Sequence, residues 1–449
     1  MKKGMFFALA ASSLLFSACS SDDAVVSTVG QNEAVQQIVL QVASSGDGLT
    51  TRAGRPLYSS QALQTIQNVR VVIYNADTKE IVKDATQDWT KSTTYNNHGH
   101  GRQFTLTFKG NDRLEKGDYK VMAVGYSNES DYEYSLNATS AVGLTYGDIT
   151  ATLKAGKKEA EEVFAGDADL KIGDDKKITN LTSGEENGVA VTLHRQVAGS
   201  FGYFQNIPAS VNGKAAATLR LVVRDKNDVL TFNNFNSSFT ANGATGSTIK
   251  YYVNGSKSAT APTSDALFKD GANGYVLYSI DLTKWFTEGD KNKDGLLNAE
   301  DTWKHPDDVK TQVVKGSVFG SNFVIPFNLT SGKSTMELQL LDADNNIIKH
   351  WTVSIPAADV NTDATNGNVA DVNASIFNVV RNHMYNLGVK TSNGTTTDPD
   401  PSNPTPDPDP DKPKPEPGTD QPEDLSKSQN LILKVNDNWE AIHKMELGD

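Results

Sequence analysis

Short runs in which apolar and polar residues alternate cover most of the chain. Typical runs are NVRVVIYN (68–75), ATLRLVVRD (217–225) and STMELQLLD (334–342), and Gly-, Asn- and Asp-containing turns separate them. A period of two places every second side chain on one face of a β-strand. Many short strands separated by turns are typical of β-sandwiches. The pattern therefore predicts an all-β fold, with GKKEAEEVFAG (156–166) as the best helical candidate.

A polar, glycine-containing stretch at residues 175–188 divides these strands into two groups. We therefore predict two tandem β-sandwich domains, one over residues 53–186 and one over residues 187–390. The segment LHRQVAGSF (193–201) lies near the start of the second domain.

The first eighteen residues have the pattern of an export signal. Two lysines precede an apolar stretch that is too short to span a bilayer as a permanent helix. Cys19 follows small residues at the end of this stretch, as in a bacterial lipoprotein whose cysteine becomes the lipidated N-terminus. An ordinary signal peptide with an incidental cysteine is the alternative. Because Cys19 is the only cysteine, the mature chain has no disulfide.

Residues 19–52 contain a strand that is detached from the first domain. The apolar segment AVQQIVLQV (34–42) is followed by the loose, Gly-rich segment ASSGDGLTTRAGR. Arg52 and Ala53 lie within this small, polar context, which is the kind of exposed segment that proteases cut.

Another detached strand lies at the C-terminus, beyond a tract rich in proline and aspartate. The tract DPDPSNPTPDPDPDKPKPEPG (398–418), within residues 391–427, lacks the apolar side chains needed to pack, and its prolines lack the N–H that helices and sheets require. We predict an extended spacer that holds residues 428–449 away from the body. The apolar residues of this terminal strand are Leu431, Leu433, Val435, Trp439, Ile442, Met445 and Leu447. Such a strand needs an acceptor, which is another copy of the chain, unless the strand folds back onto its own domain or forms a disordered tail.

Residues 290–301 (DKNKDGLLNAED) match the spacing of an EF-hand-like calcium loop. Oxygen ligands at alternate positions converge on one ion, and Gly295 permits the sharp turn. The predicted ligands for Ca²⁺ are Asp290, Asn292, Asp294, the Leu296 carbonyl, Asn298 and Asp301. No flanking helices are predicted, so the loop is expected to be isolated. A polar glycine turn between strands is the alternative.

Composition and motifs argue against other functions. The net charge of −13 and the absence of a basic cluster argue against a nucleic-acid partner. The sequence has no Gly-rich phosphate loop, no GxSxG and no cysteine nucleophile. We therefore predict that the chain is not an enzyme.

Taken together, these features resemble a FimA-type fimbrillin, the major (shaft) subunit of the type V pili of Bacteroidota. The residues that carry the resemblance are Cys19, the TTRAG context around Arg52, LHRQVAGSF, VVRNHMYNLGVK (379–390), the Pro/Asp tract and the terminal strand with Trp439. The acidic run after Cys19 resembles the sorting signal of surface-exposed lipoproteins of the same phylum. The resemblance implies transthyretin-like, Greek-key sandwiches.

The resemblance also implies a route of assembly. The subunit would reach the cell outer membrane as a lipoprotein, and an Arg-specific protease would cut after Arg52. Loss of the first strand would open a groove for the terminal strand of an identical subunit, giving a fimbrium for adhesion with separate tip and anchor subunits.

Two alternatives stay open: an anchor subunit that keeps its lipid, and a monomeric surface lipoprotein that binds glycans through exposed tryptophans. Trp89, Trp285 and Trp303 are the candidates for such platforms, whereas Trp351 is predicted to lie in a strand core.

Overall fold

The computed structural model describes residues 35–42, 66–95, 101–127, 130–135, 141–154, 160–224, 226–232, 254–258, 265–307, 309, 313–330, 336–354, 376–379, 381, 384–388, 422–427, 430–432 and 434–436. Within these ranges most residues belong to β-strands, which confirms the predicted all-β class. None of the helices found there has the length and apolar character needed to cross a bilayer. Several predicted features lie outside the described residues, namely the signal, Cys19, Arg52, Ala53, Leu433, Trp439, Ile442, Met445, Leu447 and most of the spacer.

The first sandwich is a single curled sheet. Its part of the chain forms β1 (Gln36–Val42), β2 (Asn68–Asn75), β3 (Ile81–Asp88), β4 (Thr93–Tyr95), β5 (Gly101–Phe108), β6 (Gly117–Tyr126), β7 (Tyr132–Tyr134), β8 (Thr150–Leu153), β9 (Phe164–Ile172) and β10 (Gly188–Arg195). Eight of these strands pair in the order β3-β2-β6-β9-β10-β1-β5-β4. Apolar side chains of β1, β2, β5, β6, β9 and β10 share one buried cluster. The two halves of the sheet therefore pack on each other as the layers of a sandwich.

The second sandwich is built from two larger sheets, with two-stranded sheets beside them. The chain continues as β11 (Ala198–Gln205), β12 (Ile207–Pro208), β13 (Ser210–Val211), β14 (Lys214–Ala215), β15 (Thr218–Val223), β16 (Val229–Thr231), β17 (Gly255–Ser256), β18 (Asp265–Ala266), β19 (Asn273–Asp281), the helix α1 (Leu282–Trp285), β20 (Leu296–Leu297), β21 (Ser317–Val324), β22 (Phe327–Thr330), β23 (Met336–Leu341), β24 (Ile347–Ser354), β25 (Ile376–Val379), β26 (Met384–Leu387), β27 (Glu423–Asp424), β28 (Asn430–Ile432) and β29 (Lys434–Asn436). The sheet β21-β11-β26-β29 and the sheet β18-β19-β15-β23-β24-β28 share a buried cluster that includes Tyr203, Leu221 and Trp351. The two-stranded sheets are β12-β20, β13-β14 and β22-β25.

A third sheet joins the two sandwiches. Its order is β17-β16-β8-β7, so β16 from the second half of the chain pairs with β8 from the first half. A buried cluster on this side combines Val72 and Met122 of the first sandwich with Leu230 and Phe323. The two sandwiches are therefore bound together by apolar packing as well as by strand pairing.

The chain changes sheets later than the predicted boundary after residue 186. β10 follows that boundary but pairs with β1 and β9 of the first sandwich, whereas β11 lies in the second. Gln196, which is fully buried between them, donates hydrogen bonds from its amide to the carbonyls of His194 (2.7 Å) and Ala165 (3.3 Å). These bonds fix the chain where it leaves the first sheet. The alternation of apolar residues continues through this point, so the sequence shows one strand where the structure has two.

The predicted helix at 156–166 is wrong for its described part. Residues 160–163 are not helical, and Phe164 begins β9. β9 pairs with β6 from Phe164 to Ile172, and Phe164 and Ala165 are almost completely buried. Pairing and burial over a long strand outweigh the modest helical propensity of a short segment.

Candidate functional site

The first strand occupies a central slot of the first sandwich. β1 runs parallel to β10 on one side and antiparallel to β5 on the other. The side chains of Ile38 and Leu40 are 1% and 0% exposed in the shared core. Removal of β1 would leave two unpaired strand edges and an open apolar groove, which is the kind of edge that folded proteins cover.

Gln36 is the polar anchor of this slot. Its side chain is 1% exposed. The Gln36 amide donates to the backbone carbonyls of Leu114 and Lys176, both at 3.0 Å. Its Oε1 accepts a hydrogen bond from the Leu114 N–H at 2.8 Å. One side chain therefore satisfies three backbone groups, and a buried group that loses its partner destabilises a fold by about 1–3 kcal/mol.

The terminal segment docks on its own second sandwich. β27 runs parallel to β11, β28 runs parallel to β24, and β29 runs antiparallel to β26. Leu425 and Leu431 are fully buried in the core of that sandwich. The expectation that the terminal strand is held away from the body is therefore wrong for the described residues of 422–436. The segment docks because the edges of β24 and β26 are open to pairing with β28 and β29.

Asp424 helps to hold the docked segment. Its carboxylate accepts hydrogen bonds from the Asn206 amide (3.0 Å) and the Ser426 hydroxyl (2.6 Å), and Lys427 forms an ion pair with it at 3.0 Å. Burial of Asp424 favours the neutral acid, but these hydrogen bonds outweigh it and lower the pKa of Asp424 to about 2. The docked state therefore favours the charged carboxylate.

Two segments that carry the sequence resemblance are neighbours in space. β11, from LHRQVAGSF, pairs in parallel with β26, from VVRNHMYNLGVK, in the register Gly199 to Met384. Arg381, 1% exposed, donates to Gln196 Oε1 at 3.4 Å where the chain changes sheets. β29 pairs with the other edge of β26. These segments therefore form the part of the second sandwich with which β27 and β29 pair, whereas β28 pairs with β24.

The Asp-rich loop has the turn geometry that its spacing predicts. Gly295 has a φ of +90°, which is rarely open to other residues. Leu297, 3% exposed, anchors the loop in the core and pairs with Ile207 of β12. In the described part of the chain, the flanking segments contain only the four-residue helix α1, in agreement with an isolated loop.

Two amide side chains of the loop meet at Asp294, and Asp290 is bonded to the loop backbone. Asp294 Oδ2 accepts hydrogen bonds from the amides of Asn292 (3.0 Å) and Asn298 (2.7 Å), and Asp290 Oδ2 accepts one from the Gly295 N–H (2.9 Å). The Leu296 N–H, followed by these two amides, lowers the pKa of Asp294. Asp290 Oδ1 is buried and has no hydrogen-bond partner. A buried carboxylate oxygen without a partner is unfavourable unless a cation or a donor reaches it.

Asp301 has a different role in the same loop, because it binds the loop backbone. Its side chain is 6% exposed, and its two oxygens accept hydrogen bonds from the backbone N–H groups of Lys291 (2.9 Å), Asn292 (3.4 Å) and Asn298 (2.9 Å). Asp301 therefore closes the loop through the backbone. Within the described ranges, no three His, Cys, Asp or Glu side chains converge as a metal site by themselves, so Asn292, Asn298 and the Leu296 carbonyl would have to complete one.

The tryptophans give no exposed platform in the part of the chain that the structure describes. Trp89, Trp285 and Trp351 are 3%, 2% and 1% exposed, which confirms the core position predicted for Trp351. Trp303 is half-buried, lies 6.0 Å from Trp285 between ring centroids, and donates from Nε1 to the Ser317 carbonyl at 2.7 Å. These rings are committed to packing, so they offer no support for the glycan-binding alternative.

Comparisons with known proteins find similarity to solved structures only at low identity. The chain matches none of the protein-family models and none of the curated proteins with which it was compared. The fimbrial anchor protein Mfa2 of Porphyromonas gingivalis is 11% identical, with 79% of this chain and 90% of that chain covered and a TM-score of 0.33. The tip protein Mfa3 of the same organism is 8% identical (79% and 94% covered, TM-score 0.31). A fimbrial assembly protein of Parabacteroides distasonis is 14% identical (80% and 92% covered, TM-score 0.31). Similarity at this level carries no argument about function, which has to be argued from the chain's own residues.

Proposed function

We propose that this chain is a structural subunit of a surface fimbria that is exported as a lipoprotein, cleaved after Arg52 and polymerised by donor-strand exchange. The observation that carries the proposal is the position of β1. It completes the middle of the first sheet, yet it precedes every other described strand and joins them only through the segment that contains Arg52. A cut there frees β1 without breaking any other strand.

Strand exchange is favourable because the incoming strand would bury the same apolar groove and pair with the same strand edges as β1. Burial of a side chain such as Ile38 or Leu40 stabilises by about 1.5–3 kcal/mol. A strand from another copy would restore the backbone pairing with β5 and β10 and would refill the apolar groove. The proposed donor residues are Leu431, Leu433, Val435, Trp439, Ile442, Met445 and Leu447. Because donation runs head to tail and does not close on itself, it produces a fibre.

Docking of the terminal segment on its own chain is compatible with this exchange. The described part of the docked segment pairs through the short strands β27, β28 and β29. In the slot of β1, by contrast, seven residues pair with β5 and six of them also pair with β10. The Pro/Asp-rich spacer supplies reach on the order of 3 Å per residue. The docked form is thus the resting state of the donor before assembly.

The partners and location follow from this route. The chain would bind identical subunits head to tail, together with tip and anchor subunits, and would meet an Arg-specific protease at the cell surface. The lipid on Cys19 would hold the precursor in the outer membrane until cleavage. The fibre would serve adhesion, with no catalytic activity and no nucleic-acid partner.

Controlled cleavage of the full chain tests this proposal. The purified precursor is treated with an arginine-specific protease, and SDS-resistant oligomers are followed on unheated gels. We expect a ladder of oligomers from the wild type and from Arg55→Ala, a nearby control, and only monomer from Arg52→Ala. Cleavage after Arg52 without oligomers, or equal oligomers from Arg52→Ala, would contradict the proposal.

We also propose that the Asp-rich loop binds Ca²⁺ through Asp290, Asn292, Asp294, Leu296, Asn298 and Asp301. The buried, unpartnered Asp290 Oδ1 supports this, because a hard cation is the partner that carboxylate and carbonyl oxygens favour. The ion would neutralise the charge of Asp290 and Asp294 and stiffen the loop against the second sandwich. Since Asp301 is engaged by backbone N–H groups, we expect weak binding, on the order of 10⁻⁴–10⁻³ M as in extracellular modules.

Calcium titration of the full chain tests the loop. Tryptophan fluorescence is a suitable signal, because Trp303 follows Asp301 closely and contacts Trp285. We expect a saturable change with Ca²⁺ that EGTA reverses and that Mg²⁺ does not reproduce. A flat response to Ca²⁺ by both fluorescence and calorimetry would leave the loop as a polar turn.

A further inference from the structure

The removable strand and the terminal segment carry the same order of residue types. Residues 36–42 read QQIVLQV and residues 429–435 read QNLILKV. Two amide side chains come first in both segments. Three aliphatic residues follow, then one polar residue, and both segments end on valine.

The contacts of β1 show which type of side chain a replacement strand needs at each position. The first residue must supply an amide, because Gln36 both donates and accepts hydrogen bonds in the slot. The third and fifth residues, Ile38 and Leu40, fill the core. The fourth residue, Val39, is also buried (3% exposed) on the opposite face of the strand. The second and sixth residues, Gln37 and Gln41, are half-buried.

We propose that residues 429–435 of one copy replace residues 36–42 of the next copy in the same direction and register. The inference rests on the proposed donor-strand exchange and specifies how the donor is seated. Gln429 takes the place of Gln36 and satisfies the Leu114 N–H and the carbonyls of Leu114 and Lys176. Leu431 and Leu433 take the places of Ile38 and Leu40, and the donor runs parallel to β10 and antiparallel to β5.

Shifted registers fail at identifiable positions. A shift by one residue turns Asn430 and Lys434 toward the apolar core, since side chains alternate between faces. A shift by two residues places Leu431 at the amide position, or places Gln429 in the apolar position of Ile38. In either case, a buried polar group loses its partner.

A reversed donor fails at the same place. In the reversed direction, Gln429 would take the position of Val42 and Val435 would take the position of Gln36. Valine has no group that can bond to the Leu114 N–H or to the two carbonyls. The single amide anchor therefore fixes both the direction and the register of the incoming strand.

The register predicts which residues of two copies become neighbours. In the slot, Gln41 lies opposite Gln103 of β5, and Val39 lies opposite Thr105. Lys434 of the donor should therefore lie opposite Gln103 of the acceptor, and Ile432 should lie opposite Thr105. Directly opposite residues suit a disulfide, whereas diagonal neighbours two residues away lie about 7–8 Å apart and do not.

Cysteine cross-linking of the full chain tests the register. All variants carry Cys19→Ala, which removes the only native thiol. Chains with Lys434→Cys are mixed with chains carrying either Gln103→Cys or the matched control Thr105→Cys, and the mixtures are cleaved after Arg52, polymerised and oxidised. We expect disulfide-linked dimers on denaturing gels with Gln103→Cys, and at least a tenfold lower yield with Thr105→Cys.

Failure of the register and failure of exchange give different results. Polymers that link through Thr105→Cys, or that link through neither position, would overturn the register and leave strand exchange standing. Absence of any polymer from the cleaved chains would overturn both proposals.

Substitution of the amide anchor gives an independent measurement. Gln429→Leu keeps the size of the side chain but removes the hydrogen bonds, and Asn430→Leu is the matched control on the neighbouring position. We expect polymers of Gln429→Leu to dissociate in denaturant about 10- to 100-fold faster than wild type. Polymers of Asn430→Leu should stay within about threefold of wild type. Equal rates for the two variants would show that Gln429 does not replace Gln36.

Discussion

At the scale of single residues, the spacing of the Asp-rich loop predicts which residues face the turn, but it does not show what each side chain binds. The spacing of the Asp-rich loop predicts six ligands, and the turn at Gly295 is where the spacing places it. The structure separates the carboxylates, because Asp301 binds three backbone N–H groups while Asp290 keeps one oxygen without a partner. The role of Gln36 was likewise hidden, since its partners are 78 and 140 residues away.

Substitution of Asp290 and Asp301 should therefore have different effects. Asp301→Asn replaces an acceptor by a donor that faces backbone N–H groups, so it should lower the free energy of unfolding without Ca²⁺ by about 1–3 kcal/mol. Asp290→Asn should leave that free energy within about 0.5 kcal/mol and abolish the stabilisation by Ca²⁺. Denaturant unfolding in EGTA and in Ca²⁺ measures both quantities. An Asp290→Asn chain that is still stabilised by Ca²⁺ would remove Asp290 from the site.

At the scale of elements, period-two alternation predicted strands such as β15, in which Leu219 and Leu221 are buried and Thr218 and Arg220 are only partly buried. It could not show where a run of alternation divides between two sheets, as at Gln196, because that depends on bonds to distant residues. It also could not show that β28 and β29 dock on β24 and β26. That choice is made by strand edges that form only in the folded second sandwich.

Docking of the terminal segment should weaken in acid because of Asp424. The pKa of this carboxyl falls from 3.8 to about 2 in the docked state. A lowered pKa means that the carboxylate contributes stability above pH 3.8, and that this contribution is lost as the pH falls through 2. Hydrogen exchange of residues 422–436 between pH 5 and pH 2, compared with β10, measures the effect.

The matched variants for this measurement are Asp424→Asn and Glu423→Gln. Protection of the segment relative to β10 should fall with pH in the wild type and in Glu423→Gln. In Asp424→Asn it should be lower throughout and independent of pH. The same acid sensitivity in Asp424→Asn would assign the effect to another group.

At the scale of the whole molecule, the proposed assembly gives each chain one site that accepts a strand and one segment that donates a strand. The two lie on different sandwiches, the slot of β1 on the first and the docked terminal segment on the second. The sequence identified both segments, because each is an apolar strand separated from the domains by a polar tract. The proposal that residues 429–435 take the place of residues 36–42 depends on the structure, which shows the contacts of the residues of β1.

A chain that can only accept a strand and a chain that can only donate one should each stop assembly, at opposite ends of the joint. A chain that ends at Ser428 can accept a strand but cannot donate one, and an Arg52→Ala chain can donate but cannot accept. After protease treatment, we expect each chain alone to remain monomeric and the mixture to form SDS-resistant dimers only. Denaturant unfolding checks that each variant is folded, since Leu431 contributes to the core. Oligomers larger than dimers in the mixture would rule out one acceptor and one donor per chain.

The most direct test of a cleaved, strand-exchanged fibre is the mass and N-terminal residue of the chain recovered from SDS-resistant, high-molecular-weight material on the bacterial surface. We expect a chain that begins at Ala53 and carries no lipid. A chain in that material that still begins at acylated Cys19 would retain β1 in its slot and would contradict assembly by strand exchange.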